Sequence, residues 1–595
     1  MDTSATRNSP RTLVELLSTT AAWQPDRPAV SDARTTLTYR ELDEASDAVA
    51  ALLEQRGVSA GDHVAVHLPR SVETVVSLLG VLKARAAYVA VDRRYPVSRR
   101  SLMFRESGAK TVLTDAADDP AAAQGVEVID VRGVASLPRG GPRALAPAPE
   151  DAASVLFTSG SSGVPKALVL EHRNLVSFAL NPALPALVPG DRTGQLSNVS
   201  FDAFHFEVWC TLAQGAEVVV LPPVTDLLAS GIQQQLRERR ITALLVPTAV
   251  VNHVAREDGD AFAPLRILHT GGDVLVPAAC RAVLSGAFRG AFYNLYGPSE
   301  ATTACTAHPV TQVGLDEVSV PIGRALEGTT LYVLDEVRRP VPAGEVGELH
   351  VSGPGVARGY LNQPELTELR FPPDPFTADG RRMYATGDLV RQRADGILEF
   401  VGRADDQVKI RGYRVEPGEV ERALLRHPLV EDAAVLTAGP GQDRHLAALV
   451  VPRGALTMPD LRAFAQEQLP DFMVPSRLFP IPTVPANDHG KRDREALAEL
   501  LAAAEQRADT GTLVSDTQHY LAGLWQELLD VESVGSSDDF FALGGNSLLA
   551  FRTERRVRQD LGVVVGFRAV LDHPVLADLA AVIDGAESAA ETRAV

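Results

Sequence analysis

The nine residues Thr158-Ser159-Gly160-Ser161-Ser162-Gly163-Val164-Pro165-Lys166 have the makings of an anion site. Glycines let the backbone turn its N–H groups toward an anion, hydroxyls add donors, and a lysine adds a point charge. The chemistry would be phosphate binding. No Gly-Lys-Ser/Thr follows at the required spacing, so this is not a Walker loop. By composition alone, a flexible Ser/Gly surface loop accounts for the segment equally well. The thiols offer little: Cys210, Cys280 and Cys305 are too few and too far apart for a disulfide scaffold or a Cys-ligated zinc. The chain reads as tolerant of a reducing cytosol.

The cradle must be held by the elements around it. HVAVHLP at 63–69 reads as a strand, SVETVVSLLGVLKARA as a helix and AYVAVD as a second strand, the order of an α/β sheet. VLFTSG at 155–160, AEVVVLP at 216–222 and ALLVPT at 243–248 fit further buried strands, and the cradle directly follows the first of these. RGGPRALAPAPEDAA at 139–153 reads as a surface connection. Near residue 404 the texture changes to a small α+β unit with a helix starting near Pro417. LAAAEQRADTGTLVSD at 501–516 resembles a linker, and amphipathic helices fill 517–585.

A length of 595 residues calls for several domains. The net charge of −19 argues against a nucleic-acid or anionic-membrane partner, which needs a basic face. MDTSATRNSP is not a secretory signal, and apolar stretches such as ITALLVPTAVV at 241–251 are too short to span a bilayer. The expected location is the cytoplasm.

The order of the remaining motifs adds a resemblance to the adenylate-forming superfamily, and within it to the adenylation domains of non-ribosomal peptide synthetases. It runs from about Thr12 to Leu500. It rests on LTYRELDEASDAVAALL at 37–53, LKARAAYVAVDRRYP at 82–96, LFTSGSSGVPKALVLEHRNL at 156–175, FDAFHFEVW at 201–209 and NLYGPSEATT at 294–303. It continues through GELHVSGPGVARGYLNQPELT at 347–367, YATGDLVR at 384–391, VGRADDQVKIRGYRVEPGEVE at 401–421 and NDHGKRDREAL at 487–497. The implied architecture is multidomain: a large α/β N-terminal part (1–404), a small α+β subdomain (405–500), a linker (501–516), an all-α four-helix-bundle carrier domain (517–585) and a tail (586–595).

The resemblance implies a role for each block. The family joins a carboxylate to the α-phosphate of ATP, so cations and donors must screen converging anions. Thr158, Ser159, Gly160, Ser161, Ser162, Gly163 and Lys166 would hold phosphates. Glu300 would hold Mg²⁺, with the Ser299 hydroxyl on phosphate. Asp388 and Arg403 match ribose contacts, and Asn294, Tyr296 and Gly272 fall where the family holds adenine. Lys491 matches the lysine that bridges substrate carboxylate and α-phosphate, Asp405 matches the hinge of the small domain, and Lys409 falls near the second reaction. Without the motif order, a lone Asp388, Glu300 or Lys491 would be read as a solvated charge.

Asp202 matches the carboxylate that pairs with an amino acid's α-ammonium, a group that acyl-CoA ligases and aryl-acid activators do not need to bind. By the same correspondence Ala203, Phe206, Leu244, His269, Gly271, Leu295, Thr303 and Ala304, with Lys491, line the substrate site. They are mostly apolar, which suggests an uncharged side chain, apolar or aromatic; His269 either donates to a polar tip or packs. DDFFALGGNSLLAFR at 538–552 resembles a peptidyl carrier, with Ser547 after a Gly-Gly turn at a helix start, as an N-cap alone could also be. There 4′-phosphopantetheine would be attached. The stretch 517–585 holds 10 acidic against 5 basic residues, as suits a domain docking onto enzymes.

Departures are few. Asn546 stands where His or Asp is usual, Ala167 where PKG is usual, and ARAAYVAVD replaces AGGAYVPLD. They bear on recognition by particular transferases or accessory proteins. Neither an HHxxxDG condensation motif nor a GxSxG thioesterase elbow occurs in this sequence. The expectation is a free-standing didomain that makes an aminoacyl adenylate and loads it on its own carrier. Expected partners are the amino acid, a phosphopantetheinyl transferase, condensation or tailoring enzymes acting in trans, and an MbtH-like accessory protein. The alternatives are an acyl- or aryl-CoA ligase and a carrier scaffold with an inactive adenylation domain.

Overall fold

The computed structural model describes residues 10–116, 125–132, 146–160, 165–317, 319–405, 407–410, 412–439, 444–485, 492–507, 511–529, 531, 533–541, 543, 545 and 547–594. The chain forms two compact units, one reaching Gly412 and the other beginning at Tyr413. That boundary lies beyond the expected 404.

The large unit is built on two mostly parallel sheets. In the seven-stranded sheet, Ala87–Ala90 is the middle strand, and His63–His67 lies between it and Thr111–Thr114. Ala152–Thr158 pairs with Ala87–Ala90 and then antiparallel with Lys166–Glu171, so the cradle segment lies between two buried strands. The nine-stranded sheet has Arg192–Gln195, Ala243–Pro247, Ile267–Gly271 and Ala291–Tyr296 as parallel neighbours. Ala243–Pro247, apolar and almost wholly buried, reads as a continuous hydrophobic stretch because both its faces are covered.

Alternation sorts the side chains into layers. Val64, Val66, Tyr88 and Ala90 enter one core with Leu245, Ile267 and Leu295 of the other sheet, while Ala65, Ala87, Val89 and Val112 enter a second on the far side. Leu244, Leu268 and Phe292 form a third layer outside the nine-stranded sheet. The helix Val72–Lys83, capped by the Ser71 hydroxyl accepting from the Thr74 N–H, is buried along its length in the central core. A four-stranded antiparallel sheet, Thr330–Leu334, Val346–Ser352, Met383–Gln392 and Leu398–Arg403, completes this unit.

In the second unit, His445–Pro452 is the middle strand of three, antiparallel to Val430–Ala438 and parallel to Arg477–Pro480. The helix starts at Pro417, as its sequence predicts, because proline is favoured in a first turn. Four helices follow: Asp516–Leu529, Ser547–Leu561, Phe567–Asp572 and Leu576–Ala594. They enclose Leu521, Trp525, Phe540 and Ile583, the all-α carrier-type bundle that was expected.

Three stretches carry secondary structure that their composition did not suggest. The first half of the expected linker is helix, because Arg494–Arg507 runs unbroken through its Ala- and Glu-rich residues. The expected tail continues the last helix to Ala594 for the same reason. The expected connection at 139–153 lies partly outside the described residues, and its last two belong to the strand Ala152–Thr158. No helix among the described residues is long and apolar enough to cross a membrane.

Trp525 is fully buried, its ring 5.1 Å from that of Phe540. Trp525→Ala should cost the bundle about 3–5 kcal/mol. Calorimetry of the full chain should show the carrier transition lowered or lost and the large-unit transition unchanged.

Candidate functional site

The segment Ala203–Ala213 is helical throughout but changes pitch: Ala203–His205 is α, Phe206–Cys210 a π-turn, and Thr211–Ala213 α again. Trp209 anchors it, its indole N–H 3.4 Å from the Tyr88 hydroxyl. Glu207, fully buried, accepts from the N–H groups of Leu196 and Ser197, and burial pushes its carboxyl up to about 7. So fastened, the segment presents Asp202 to the turn that follows the strand Ala291–Tyr296.

That turn gathers most of the candidate residues. The Ser299 hydroxyl donates to Asp202 Oδ2 at 2.5 Å, so it faces Asp202 here rather than lying free for phosphate. The Thr303 hydroxyl donates to the Asp202 carbonyl at 2.9 Å and lies 3.2 Å from His205 Nδ1. Thr302 and Thr303 both have positive φ, 58° and 70°, a costly conformation for β-branched residues. Gly297 is required: a Cβ there would lie 2.6 Å from Cα of Ala304. Asp202 is half-buried and, among the described residues, has no ion-pair partner. Desolvation pushes its carboxyl up to about 6, against the Ser299 hydrogen bond and with help from the neighbouring charge of Glu300.

Glu300 sits in the short Ser299–Ala301 turn, fully buried, and accepts from the Tyr360 hydroxyl at 2.7 Å. The Lys166 ammonium lies 5.5 Å from the centre of the same Tyr360 ring. Tyr360 thereby joins the cradle strand to the carboxylate; it went unnoticed in the sequence because an aromatic beside glycine in ARGYLNQ has no local signal of its role. Thr158 pairs with Lys166 across the two strands. Its buried hydroxyl has no hydrogen-bond partner among the described residues, which fits a donor for phosphate. Ser159 and Gly160 follow it; Ser161, Ser162 and Gly163 lie outside the described residues. No group of three metal-ligating side chains occurs among the described residues.

A second cluster surrounds Asp388, which is directly opposite Arg403 across antiparallel strands. Arg403 donates to Asp388 at 2.5 Å, to both oxygens of Asp405 at 2.6 and 2.8 Å and to Gln407 at 2.7 Å. Asp388 also accepts from the Tyr296 hydroxyl, and burial with this carboxylate pushes the phenol well above its usual range. The Lys409 ammonium lies 5.6 Å from the centre of the Tyr296 ring. Asn294 donates to the Pro321 carbonyl at 2.9 Å, and Gly272 follows the strand Ile267–Gly271. Gln407 was not anticipated, since its role needs the strand pairing to be known.

Of the substrate set, Phe206, Leu295 and Ala304 share the central core, with Ala203 packed against it. His269 is 4.6 Å from the Phe206 ring, and Gly271 ends its strand. Leu244 is a correction. In register it pairs with Leu268, and its side chain packs with Leu221 and Leu268 in the outer layer; Leu245 pairs with His269 and shares its face. Lys491 lies outside the described residues. Ser547 is the first residue of its helix. Gly545 precedes it with no room for a side chain: a Cβ would lie 2.4 Å from Phe540.

Known proteins share this organisation. A family model for AMP-binding enzymes matches residues 17–361, one for the AMP-binding enzyme C-terminal domain 419–491, and one for a phosphopantetheine attachment site 519–583. Malpibaldin synthetase of Mortierella alpina is 39% identical over 94% of this chain and 10% of its own length. Phosphinothricin tripeptide synthetase PhsC of Streptomyces viridochromogenes is 38% identical over 96% of this chain and 53% of its own. The chain thus spans between a tenth and about half of these curated relatives. Among solved structures, holo-PA1221, an NRPS protein containing adenylation and PCP domains, superposes with a TM-score of 0.83 at 30% identity, covering 97% of each chain.

Both ends of the Arg403–Asp388 pair are buried, with side chains 12% and 5% exposed. Arg403→Met should leave Asp388 and Asp405 without their shared cation and destabilise the large unit by about 3–5 kcal/mol. Urea unfolding of the nucleotide-free protein should show this; an unshifted midpoint would mean the network does not hold these strands together.

Proposed function

The chain belongs to the AMP-binding enzymes, as an adenylation domain of the non-ribosomal peptide synthetase type fused to a carrier domain, and from that premise we propose that it activates an amino acid. In this reading ATP and the amino acid give an aminoacyl adenylate and pyrophosphate. The thiol of a 4′-phosphopantetheine arm on Ser547 then displaces AMP, leaving an aminoacyl thioester for enzymes acting in trans. A phosphopantetheinyl transferase is the partner this requires, and an MbtH-like protein is a further candidate.

One observation carries the amino-acid assignment: Asp202 is a desolvated carboxylate in the substrate site with no cation of its own among the described residues. Burying such a charge is costly unless a partner arrives. An α-ammonium supplies one, and a simple carboxylic acid does not. Thr158 and Lys166 are the donor and the cation for the phosphates, and Glu300 the carboxylate for Mg²⁺. Asp388 and Arg403 are the ribose contacts. Lys491 would neutralise the oxygens that meet at the α-phosphate, the interaction that strengthens most in the transition state. The thiol supplies a better nucleophile than a hydroxyl, and the arm supplies reach.

Two substitutions should separate the half-reactions. Lys491→Ala should reduce amino-acid-dependent ATP–pyrophosphate exchange by at least about a hundredfold. Ser547→Ala should keep that exchange, yet gain no phosphopantetheine or aminoacyl mass when treated with a transferase, ATP and substrate. Normal exchange in the first variant, or added mass in the second, would show that residue misplaced.

The raised Asp202 carboxyl predicts a pH dependence. Below about pH 6 it takes up a proton in the free protein and loses the charge that would hold an ammonium. KM for the amino acid should therefore rise as pH falls, approaching about tenfold per unit well below that value. In Asp202→Asn the KM should be high and flat. A wild-type KM that stays constant from pH 7 to pH 5 would count against the ammonium contact.

A further inference from the structure

His269 is an anomaly in its strand. Its neighbours Ile267 and Leu268 are apolar, and across the register it stands between Leu245 and Tyr293. The imidazole is fully buried, its ring 4.6 Å from that of Phe206 and 5.8 Å from that of Tyr293. Among the described residues neither ring nitrogen has a hydrogen-bond partner. Buried polar atoms are nearly always paired, and leaving them unpaired costs free energy that a leucine or phenylalanine at this position would not. Beside a ligand site, a polar group on the ligand can be the missing partner.

Resting on the reading of this site as one that activates an amino acid, we propose that His269 selects a substrate whose side chain ends in an uncharged hydrogen-bonding group, a hydroxyl or a carboxamide. The surroundings set the class. Burial holds the imidazole neutral, pushing its pKa down to about 3, so it offers one N–H and one lone pair and no charge. Its ring neighbours are aromatic, and Leu295 and Ala304 belong to the same core, so among the described residues packed on the ring a cationic or anionic side chain would meet no counter-ion. A hydrocarbon side chain would leave both nitrogens unpaired. A hydroxyl or carboxamide can meet either tautomer. This narrows the expectation of an apolar or aromatic side chain to members of the uncharged set that carry a polar end.

Pyrophosphate exchange with the full-length holoprotein tests the proposal on matched substrates: threonine against valine, tyrosine against phenylalanine, glutamine against methionine and asparagine against leucine. The fastest substrate should carry the polar end and exceed its hydrocarbon partner in kcat/KM by at least about tenfold, since sites built to bond a substrate hydroxyl reject its absence strongly. His269→Phe should bring that ratio to about one or invert it, and His269→Gln should retain part of it. The ratio compares two substrates on one protein, so a general loss of folding does not move it. A hydrocarbon or an ionised side chain as the fastest substrate overturns the proposal and leaves amino-acid activation intact, as does a ratio unaltered in His269→Phe. Exchange with no amino acid, or equally with des-amino acids, overturns both readings.

Discussion

The chain reversal between Tyr296 and Ala304 sets the position of nearly every group in the site. It begins where a parallel strand ends and returns so tightly that glycine is needed at 297. Two successive threonines are held in left-handed conformations to complete it. Strain of this kind persists only where the surroundings over-determine it, and here they do. Tyr296 is tied to Asp388, Ser299 to Asp202, Glu300 to Tyr360, Thr302 to the Gly355 carbonyl and Thr303 to the Asp202 carbonyl. One short turn thus connects the Asp388–Arg403 cluster with the carboxylates of Glu300 and Asp202.

That crowding has an electrostatic consequence. Asp202, Glu300 and Asp388 are carboxylates brought near one turn, yet each is treated differently. Among the described residues, Asp388 has an arginine, Glu300 a phenol, and Asp202 hydroxyl and backbone partners but no cation. The first arrangement offsets a charge directly. In the third, desolvation raises the proton affinity of a carboxylate that has no cation beside it among the described residues. Arg403 is also shared with Asp405 and Gln407, so the residue at the expected hinge is fastened through the group that faces Asp388.

The carrier bundle follows simpler rules. Its core is Leu521, Trp525, Phe540 and Ile583, and the glycine at 545 lies against Phe540, so the helix can start at Ser547. Among its described residues, no non-glycine residue has a positive φ. A serine at the first position of a helix, behind a close-packed glycine, needs only local packing to be placed.

Much was legible from the amino-acid sequence alone. Motif order identified the α/β part, the small α+β subdomain and the helical carrier, and the types at Asp202, Glu300, Asp388 and Ser547 are chemical facts independent of folding. What the motifs encode is local, and so were the errors: Ala-rich segments read as linker and tail are helix, because propensity acts where composition suggested only solubility. Tertiary structure alone decided the partners. Ser299 and Asp202 meet across 97 residues, and Tyr360 and Glu300 across 60. It also decided which face each strand residue takes. A residue's alternation is visible in sequence, but which neighbour shares its face depends on register with strands far along the chain. Register placed Leu244 in the outer layer with Leu268, and left His269 beside aromatic rings with, among the described residues, no partner for either nitrogen.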